Sequence, residues 1–333
     1  MAQEKGILKK ETLDWLLEPN NPNVRYFTLR EILCRPEEDR EVKQAREEIM
    51  ESDPVAAILM AQQPEGYWAR TGGGFSPSYT STLYQLYFLG ELGALPGDEQ
   101  VKRGCEYFLE QALASSGGVS MSRRPVPSSV VHCMSGDLLC ALIHLGYGED
   151  PRVQAILNWQ IKAILGTREV KFYKSTTCAP GFACGNNSGV PCAWGGLKAL
   201  KALSAVPAER RSLEMKQAIE KGVELLLSVN PAEGDYPGDI KNSRTWLRFG
   251  FPLIYRTDVL ECASILSALG YGEDSRLDDT FALIKKKQDV QGRWKLEKSL
   301  NGKMWSDIEK QGRPSKWITY RALQAMKKAG RLG

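Results

Sequence analysis

Two short segments, QQPEGYW from Gln62 to Trp68 and QDVQGRW from Gln288 to Trp294, decide the fold of this chain. Both read Q-x-x-x-G-x-W, and each closes a polar helical pattern with a glycine turn that carries an aromatic residue. Helix pairs that end in the same way at two distant places indicate a repeat architecture.

The chain between these segments repeats one arrangement: an apolar helix, a glycine stop, a short acidic cap and a more polar helix. The equivalent points are roughly fifty to sixty residues apart, which is longer than the known helical solenoid repeats. Long loops enter the apolar helices on the same side of each repeat, and loops of that length are usually functional or disordered. If the apolar helices form a ring, the loops and the N-termini of those helices meet at one mouth. The helix stops are at Leu92-Gly93, Leu145-Gly146 and Leu269-Gly270, and the loops are Thr71 to Pro77, Ser115 to Pro127, Thr167 to Val190 and Pro231 to Gly250.

The composition is that of an ordinary soluble protein. The chain has 333 residues, 42% of them hydrophobic and 25% charged, with a net charge of +4. The small and scattered charge gives no reason to expect nucleic-acid binding, and no apolar run is long enough for a signal sequence or a membrane span. We expect a cytoplasmic protein, in which the eight cysteines are thiols or metal ligands rather than disulfides. The sequence does not predict an oligomeric state.

The Q-x-x-x-G-x-W segments resemble the QW repeat of the terpenoid cyclase and protein prenyltransferase superfamily, whose fold is an α/α toroid of inner and outer helices. The resemblance covers the chain from about Pro54 to Gly333. The segments NVRYFTLREIL, LRFGFPLIYRTDVLE and GRPSKWITYRAL are also similar to those of uncharacterised single-domain bacterial proteins described as squalene-cyclase-like. The resemblance implies an all-α protein, with a toroid domain over residues 53–333 after a short HEAT-like helical extension over residues 1–52.

The motifs of ordinary terpene cyclisation are not in the sequence. There is no DxDD acid motif, and Asp278-Asp279 is followed by TFALI, so it is not a DDxxD metal motif. Function belongs to the site rather than to the fold. What the resemblance implies is an enzyme that acts on a small or isoprenoid-like substrate in the central cavity.

A cysteine-bound zinc ion is the first candidate for the chemistry. Cys133 and Cys192 begin consecutive apolar helices, so their thiols can meet at the mouth, and Cys184 lies on the loop that enters Cys192. Three thiolates suit tetrahedral zinc, with His132, Cys178, Asp258 or water as the fourth ligand. The lanthionine synthetase cyclases, which share the toroid, hold zinc with cysteines in similar places. Unliganded buried thiols and a redox pair are the alternatives.

A second group of candidates lies near the start of another apolar helix. Asp258 serves there either as a general acid, with Tyr255 and Arg256 beside it, or as a helix cap. Arg248 and Arg256 can bind an anionic group of the substrate, or can pair with Asp258. Tyr79, Trp194 and Trp317 can contact the substrate, or can simply fill the ring wall. Two further readings remain open: a metal-free isoprenoid cyclase or isomerase that uses Asp258, and a toroid that binds a lipid or peptide without catalysis.

Overall fold

The computed structural model describes residues 7–173, 180–238 and 243–332, and its helices form two concentric layers. The inner helices are α2 (Pro22–Phe27), α5 (Thr82–Leu92), α7 (His132–Leu142), α9 (Ala193–Ser204), α12 (Val259–Ala268) and α14 (Lys316–Lys328). The outer helices are α3 (Arg40–Glu48), α4 (Asp53–Met60), α6 (Glu99–Gln111), α8 (Pro151–Leu165), α10 (Leu213–Leu226) and α13 (Asp278–Lys286). The remaining elements are α1 (Lys10–Leu16), α11 (Ser243–Trp246) and the two-residue strands β1 (Trp294–Lys295) and β2 (Pro314–Ser315).

The inner helices close into a ring. From α5 to α14, each inner helix packs against the next one, and α14 packs against α2. The Asn23 side chain of α2 then donates a hydrogen bond of 2.7 Å to the carbonyl of Leu92 at the end of α5. The fold is therefore the expected all-α toroid of inner and outer helices.

The two Q-x-x-x-G-x-W segments make the same contacts at opposite ends of the chain. The indole of Trp68 donates to the carbonyl of Ile58 at 2.6 Å, and the indole of Trp294 donates to that of Ile284 at 2.7 Å. The backbone N–H of each tryptophan bonds to a threonine hydroxyl of the next inner helix. Each segment thereby joins the end of an outer helix to the inner helix that follows.

Side-chain caps fix where the helices begin, because the first backbone N–H groups of a helix have no partner inside it. Asp98, Asp150, Asp258 and Ser315 cap α6, α8, α12 and α14. Helix α2 ends at Phe27, and a π turn continues it to Ile32.

The helices before residue 53 contact the ring directly. Helices α1 and α2 both pack on α14, and the Thr12 hydroxyl donates to the Gln291 carbonyl at 2.9 Å. The domain boundary between residues 52 and 53 stays a prediction. Within the described ranges, no helix has the length and apolar character needed to cross a membrane.

Candidate functional site

The loops and the N-termini of the inner helices gather at one face of the ring, which we call the loop face. From this face the chain between Gly250 and Thr257, which we call the axial segment, enters the ring. The N–H of Leu253 donates to the Tyr87 hydroxyl at 3.2 Å, and its carbonyl accepts from Lys198. The Tyr255 N–H donates to Asp137 Oδ2 at 2.6 Å. The axial segment thus contacts α5, α7 and α9 and fills the centre of the ring.

Two of the predicted site residues meet on the loop face. The hydroxyl oxygens of Tyr79 and Tyr255 are 2.9 Å apart and share a hydrogen bond. Both backbones lie in the left-handed region, with φ of +67° at Tyr79 and +50° at Tyr255. A bulky residue rarely adopts such a conformation, which costs about 1–3 kcal/mol and is concentrated at functional sites. We call these two residues the tyrosine pair.

Four positive charges lie around the tyrosine pair, and we call them the cation cluster: Arg248, Arg256, Lys298 and Lys303. The Arg256 guanidinium is 5.5 Å from the centre of the Tyr255 ring, and Lys303 Nζ is 5.6 Å from that of Tyr79. Burial and the nearby cations of the cluster lower the pKa of Lys298. Among the described residues, none of the four forms an ion pair with a carboxylate. Like charges held together without a direct ion pair favour an anionic ligand, although the charge of Asp258 also acts on Lys298.

The predicted zinc ligands lie near one another but do not fit a metal centre. A hydrogen bond to Cys184, and then burial, raise the pKa of Cys192, and burial raises that of Cys133 to about 12. A thiol must lose its proton to bind zinc, so these shifts oppose zinc binding. In the parts of the chain that the structure describes, no three His, Cys, Asp or Glu side chains are arranged to hold a metal ion. Cys178 lies outside these parts, and zinc stays a prediction from the sequence.

His132 lies between α7 and α8 rather than on the ring axis. Its Nδ1 is 2.6 Å from the Gln160 amide, and its ring packs against Trp159 and Phe182. Burial lowers the pKa of His132 to about 4, so its imidazole is neutral at physiological pH.

Asp258 caps α12. Its Oδ1 accepts from the N–H of Glu261, and its Oδ2 accepts from the N–H of Gly250, both at 2.8 Å. Burial raises the pKa of Asp258 to about 6, although the nearby Arg321 opposes this shift. Both oxygens are thus used to hold the start of α12 and the start of the axial segment.

The two predicted tryptophans lie in different surroundings. Trp194 is half-buried in the first turn of α9, and its indole N–H is enclosed without a hydrogen-bond partner in the described structure. Trp317 is buried at the start of α14, where it stacks on Phe251 of the axial segment with ring centres 4.1 Å apart. Neither ring contacts the tyrosine pair.

Beneath the axial segment lies a network of buried charges that the sequence reasoning missed. Lys198 Nζ is 3.1 Å from Asp137 Oδ1 and 2.9 Å from Glu261 Oε2, and all three side chains are almost completely buried. Lys201 connects this network to Glu91, at 2.7 Å, and to Glu261, at 3.2 Å. The sequence does contain a signal for this network, namely charged residues inside otherwise apolar helices. Examples are Lys198 in GLKALKAL and Glu261 in VLECASIL.

Burial raises the pKa of Asp137 to about 6, although Lys198 and Lys201 favour its ionised form. Glu261 is equally buried, but the charges of Lys198, Lys201 and Arg321 outweigh the effect of burial and lower its pKa. The two carboxyl groups that share Lys198 therefore differ in acidity, and Asp137 is the one that titrates near neutral pH.

Comparison with known proteins gives distant structural similarities. No protein-family profile matches the sequence, and no curated protein matches it. A protein of known structure from Actinoplanes has 13% identity and a TM-score of 0.38, over 86% of this chain and 99% of that one. The type II terpene cyclase MstE from Scytonema, in complex with geranylgeranyl dihydroxybenzoate, has 11% identity and a TM-score of 0.36, over 98% of this chain and 100% of that one. Its complex with the product merosterolic acid A gives a TM-score of 0.34 at 11% identity, over 98% of this chain and 100% of that one. Similarity at this level carries no inference about function, and the toroid is established by the packing of the helices.

Proposed function

We propose that this chain is an enzyme that binds the anionic group of a small or isoprenoid-like substrate at the loop face and acts on it through the tyrosine pair. The observation that carries the proposal is the pair itself. Tyr79 and Tyr255 are far apart in the sequence, both backbones are in the left-handed region, and their hydroxyls are 2.9 Å apart. Strain of this kind persists only where the surrounding structure imposes it, as it does at active sites.

The cation cluster supplies the binding of the anionic group. Arg256 and Lys303 are exposed beside the two tyrosine rings, and Lys298 is half-buried between them and Arg248. A carboxylate or phosphate group placed there gains charge-assisted hydrogen bonds and relieves the repulsion among the cations. Such binding places the adjoining part of the substrate over the hydroxyls of the tyrosine pair.

The same face offers apolar surface for a hydrocarbon part. Phe75 is 44% exposed and packs on Tyr84, whose ring in turn packs on Tyr79. Trp305 is 43% exposed and follows Lys303 by two residues. Exposed aromatic rings beside a charged site suit a substrate with one polar end and one apolar end.

In this proposal the tyrosine pair donates a hydrogen bond or a proton to the substrate. Burial, and then the hydrogen bond shared with Tyr79, raise the pKa of Tyr255 to about 12, so the phenol stays protonated at neutral pH. A protonated phenol can donate a hydrogen bond to negative charge that develops on the substrate, or can transfer its proton to it. Asp258 holds the axial segment behind Tyr255, and the proposal requires neither its ionisation nor a zinc ion.

The test uses short isoprenyl diphosphates, monophosphates and carboxylates as substrates, with product formation followed by mass spectrometry. We expect turnover by the wild-type chain, and a loss of about a hundredfold in kcat for Tyr255→Phe, which is the effect of removing one such donor in other enzymes. Tyr67→Phe is the matched control, since Tyr67 packs on Tyr107 and not on the tyrosine pair. Full activity of Tyr255→Phe, or the absence of both turnover and binding for every compound, would refute the proposal.

A further inference from the structure

We propose that the opposite face of the ring holds a second site, which binds a free apolar α-amino acid. A cavity of about 240 Å³ opens there, lined by residues of all six inner helices. Its walls include Glu91 of α5, Lys201 of α9, Ser264 of α12 and Arg321 of α14. It lies on the other side of the axial segment from the tyrosine pair, so it is separate from the proposed active site.

Arg321 supplies the binding of a carboxylate. Its guanidinium has five N–H donors, but in the described structure it makes only two polar contacts. They join Nη1 to the Gly250 carbonyl at 3.3 Å and Nη2 to Glu261 Oε1 at 3.5 Å. Lys198 and Lys201, in contrast, have carboxylate oxygens within 2.7–3.2 Å. Arg321 is therefore the cation of the network that retains donors for a ligand, and a planar carboxylate matches its geometry.

Glu91 supplies the binding of an ammonium group. Its Oε1 is 2.7 Å from Lys201 Nζ, and its second oxygen makes no hydrogen bond within the described residues. The side chain is 13% exposed, on the wall of the cavity. Burial raises the pKa of Glu91, but the charges of Lys201 and then Arg321 outweigh this effect and lower the pKa below its usual value, so the carboxylate is ionised. The free oxygen of Glu91 and the free N–H donors of Arg321 line the same small cavity. Together they suit a ligand that carries both an ammonium group and a carboxylate.

Four aromatic rings on the wall suit an apolar side chain, although Glu31, His144, Gln324 and Lys328 also line the cavity. Phe251 and Trp317 stack with ring centres 4.1 Å apart, and Phe27 packs on Tyr320 with ring centres 5.7 Å apart. All four rings line the cavity. Contact with such a surface stabilises an apolar group by about 25 cal/mol for each Å² that is removed from water.

The size of the cavity suits a free amino acid. A cavity of about 150 Å³ holds benzene, so 240 Å³ holds a ligand of about ten non-hydrogen atoms by the same ratio. An amino acid of the size of leucine fits this volume, whereas a dipeptide that contains a residue of this size is larger than the volume. A peptide terminus would also present only one of the two charges.

The test is isothermal titration calorimetry with leucine as the probe. Isocaproate, which lacks the ammonium group, and isoamylamine, which lacks the carboxylate, serve as matched ligands. We expect one leucine for each chain, with affinity at least about tenfold higher than for either analogue, which is the effect of losing one charged contact. Glu91→Gln and Arg321→Gln should each weaken leucine binding by about tenfold or more.

Three controls keep the outcome interpretable. Arg276→Gln removes an arginine that forms an exposed ion pair with Glu224, and it should leave the affinity for leucine unchanged. Ala268→Phe narrows the exposed rim of the cavity without removing a charge, so it should weaken binding even if the charge variants fold poorly. Tyr255→Phe, which tests the other face, should bind leucine as the wild type does. The absence of saturable binding up to about 10 mM, or equal affinities for leucine and its two analogues, would overturn the inference.

Discussion

Replacing Lys198 by methionine tests whether the buried charge network holds the ring together. The substitution keeps the length of the side chain but removes the ammonium group that lies 3.1 Å from Asp137 and 2.9 Å from Glu261. These carboxylates are 0% and 1% exposed, so water cannot replace the lost partner. The hydrogen bond to the Leu253 carbonyl of the axial segment is lost as well.

Removing one partner of a buried ion pair costs about 3–5 kcal/mol, because the other charge is left uncompensated. Unfolding entropy of about 2.1 cal/mol/K per residue gives about 0.7 kcal/mol/K for a chain of 333 residues. A loss of about 4 kcal/mol then lowers Tm by about 6 °C. Lys201 is close enough to offset part of the loss, since it already contacts Glu261 at 3.2 Å.

Calorimetric Tm and the midpoint of guanidinium unfolding measure this effect. Lys102→Met is the matched control, since Lys102 pairs with Glu99 on the exposed surface of α6 and should change stability by less than about 1 kcal/mol. The destabilisation by Lys198→Met should also decrease at low pH, where Asp137 takes up a proton. A loss as small as that of the control would show that the network contributes little to the fold, and the reasoning would fail.

Three other substitutions test separate parts of the structure. Asp137 has a pKa of about 6 in the folded chain against 3.8 as its usual value, so the folded state binds more protons between these pH values and its stability falls as pH rises through them. In urea unfolding from pH 4 to pH 6, the free energy of unfolding of Asp137→Asn should therefore rise steadily relative to that of the wild type, by up to about 3 kcal/mol. A difference between the two that does not change with pH contradicts the pKa shift. Trp294→Phe keeps an aromatic ring but leaves the Ile284 carbonyl without its 2.7 Å bond, and should lower the free energy of unfolding by about 1–3 kcal/mol; an unchanged value would mean that the bond is dispensable. Gly136→Ala would put a Cβ atom 2.3 Å from the Lys198 carbonyl, where α7 and α9 touch, and should cost about 1–3 kcal/mol by chemical denaturation; a neutral result would show that the two helices can separate freely.

The toroid was predictable because its signals are local. The Q-x-x-x-G-x-W segments, the glycine stops and the capping residues Asp98, Asp150 and Ser315 each act within a few residues of their own position. They indicate repeated helix pairs, and the closure of these pairs into a ring was expected from the resemblance of the Q-x-x-x-G-x-W segments to the QW repeat.

The site was predictable only in part, because its contacts join distant residues. Tyr79, Tyr255, Arg248 and Arg256 were named from their positions at the entrances to inner helices, but nothing in the sequence shows that the two hydroxyls touch or that the two backbones are strained. The cluster of charges around Lys198 requires helices α7, α9 and α12 to be placed side by side, and only the structure places them so.

The axial segment makes this ring a closed body rather than a channel. Its residues Phe251 to Ile254 are buried, and the segment bonds to α5, α7, α9 and α14. A solute that enters one face therefore cannot leave by the other. The two faces are nevertheless in contact through Asp137, which holds the Tyr255 backbone with one oxygen and Lys198 with the other. A ligand that alters the protonation of Asp137 from one face also alters its hydrogen bond to the Tyr255 backbone on the other, and by linkage any such effect on affinity is equal in both directions.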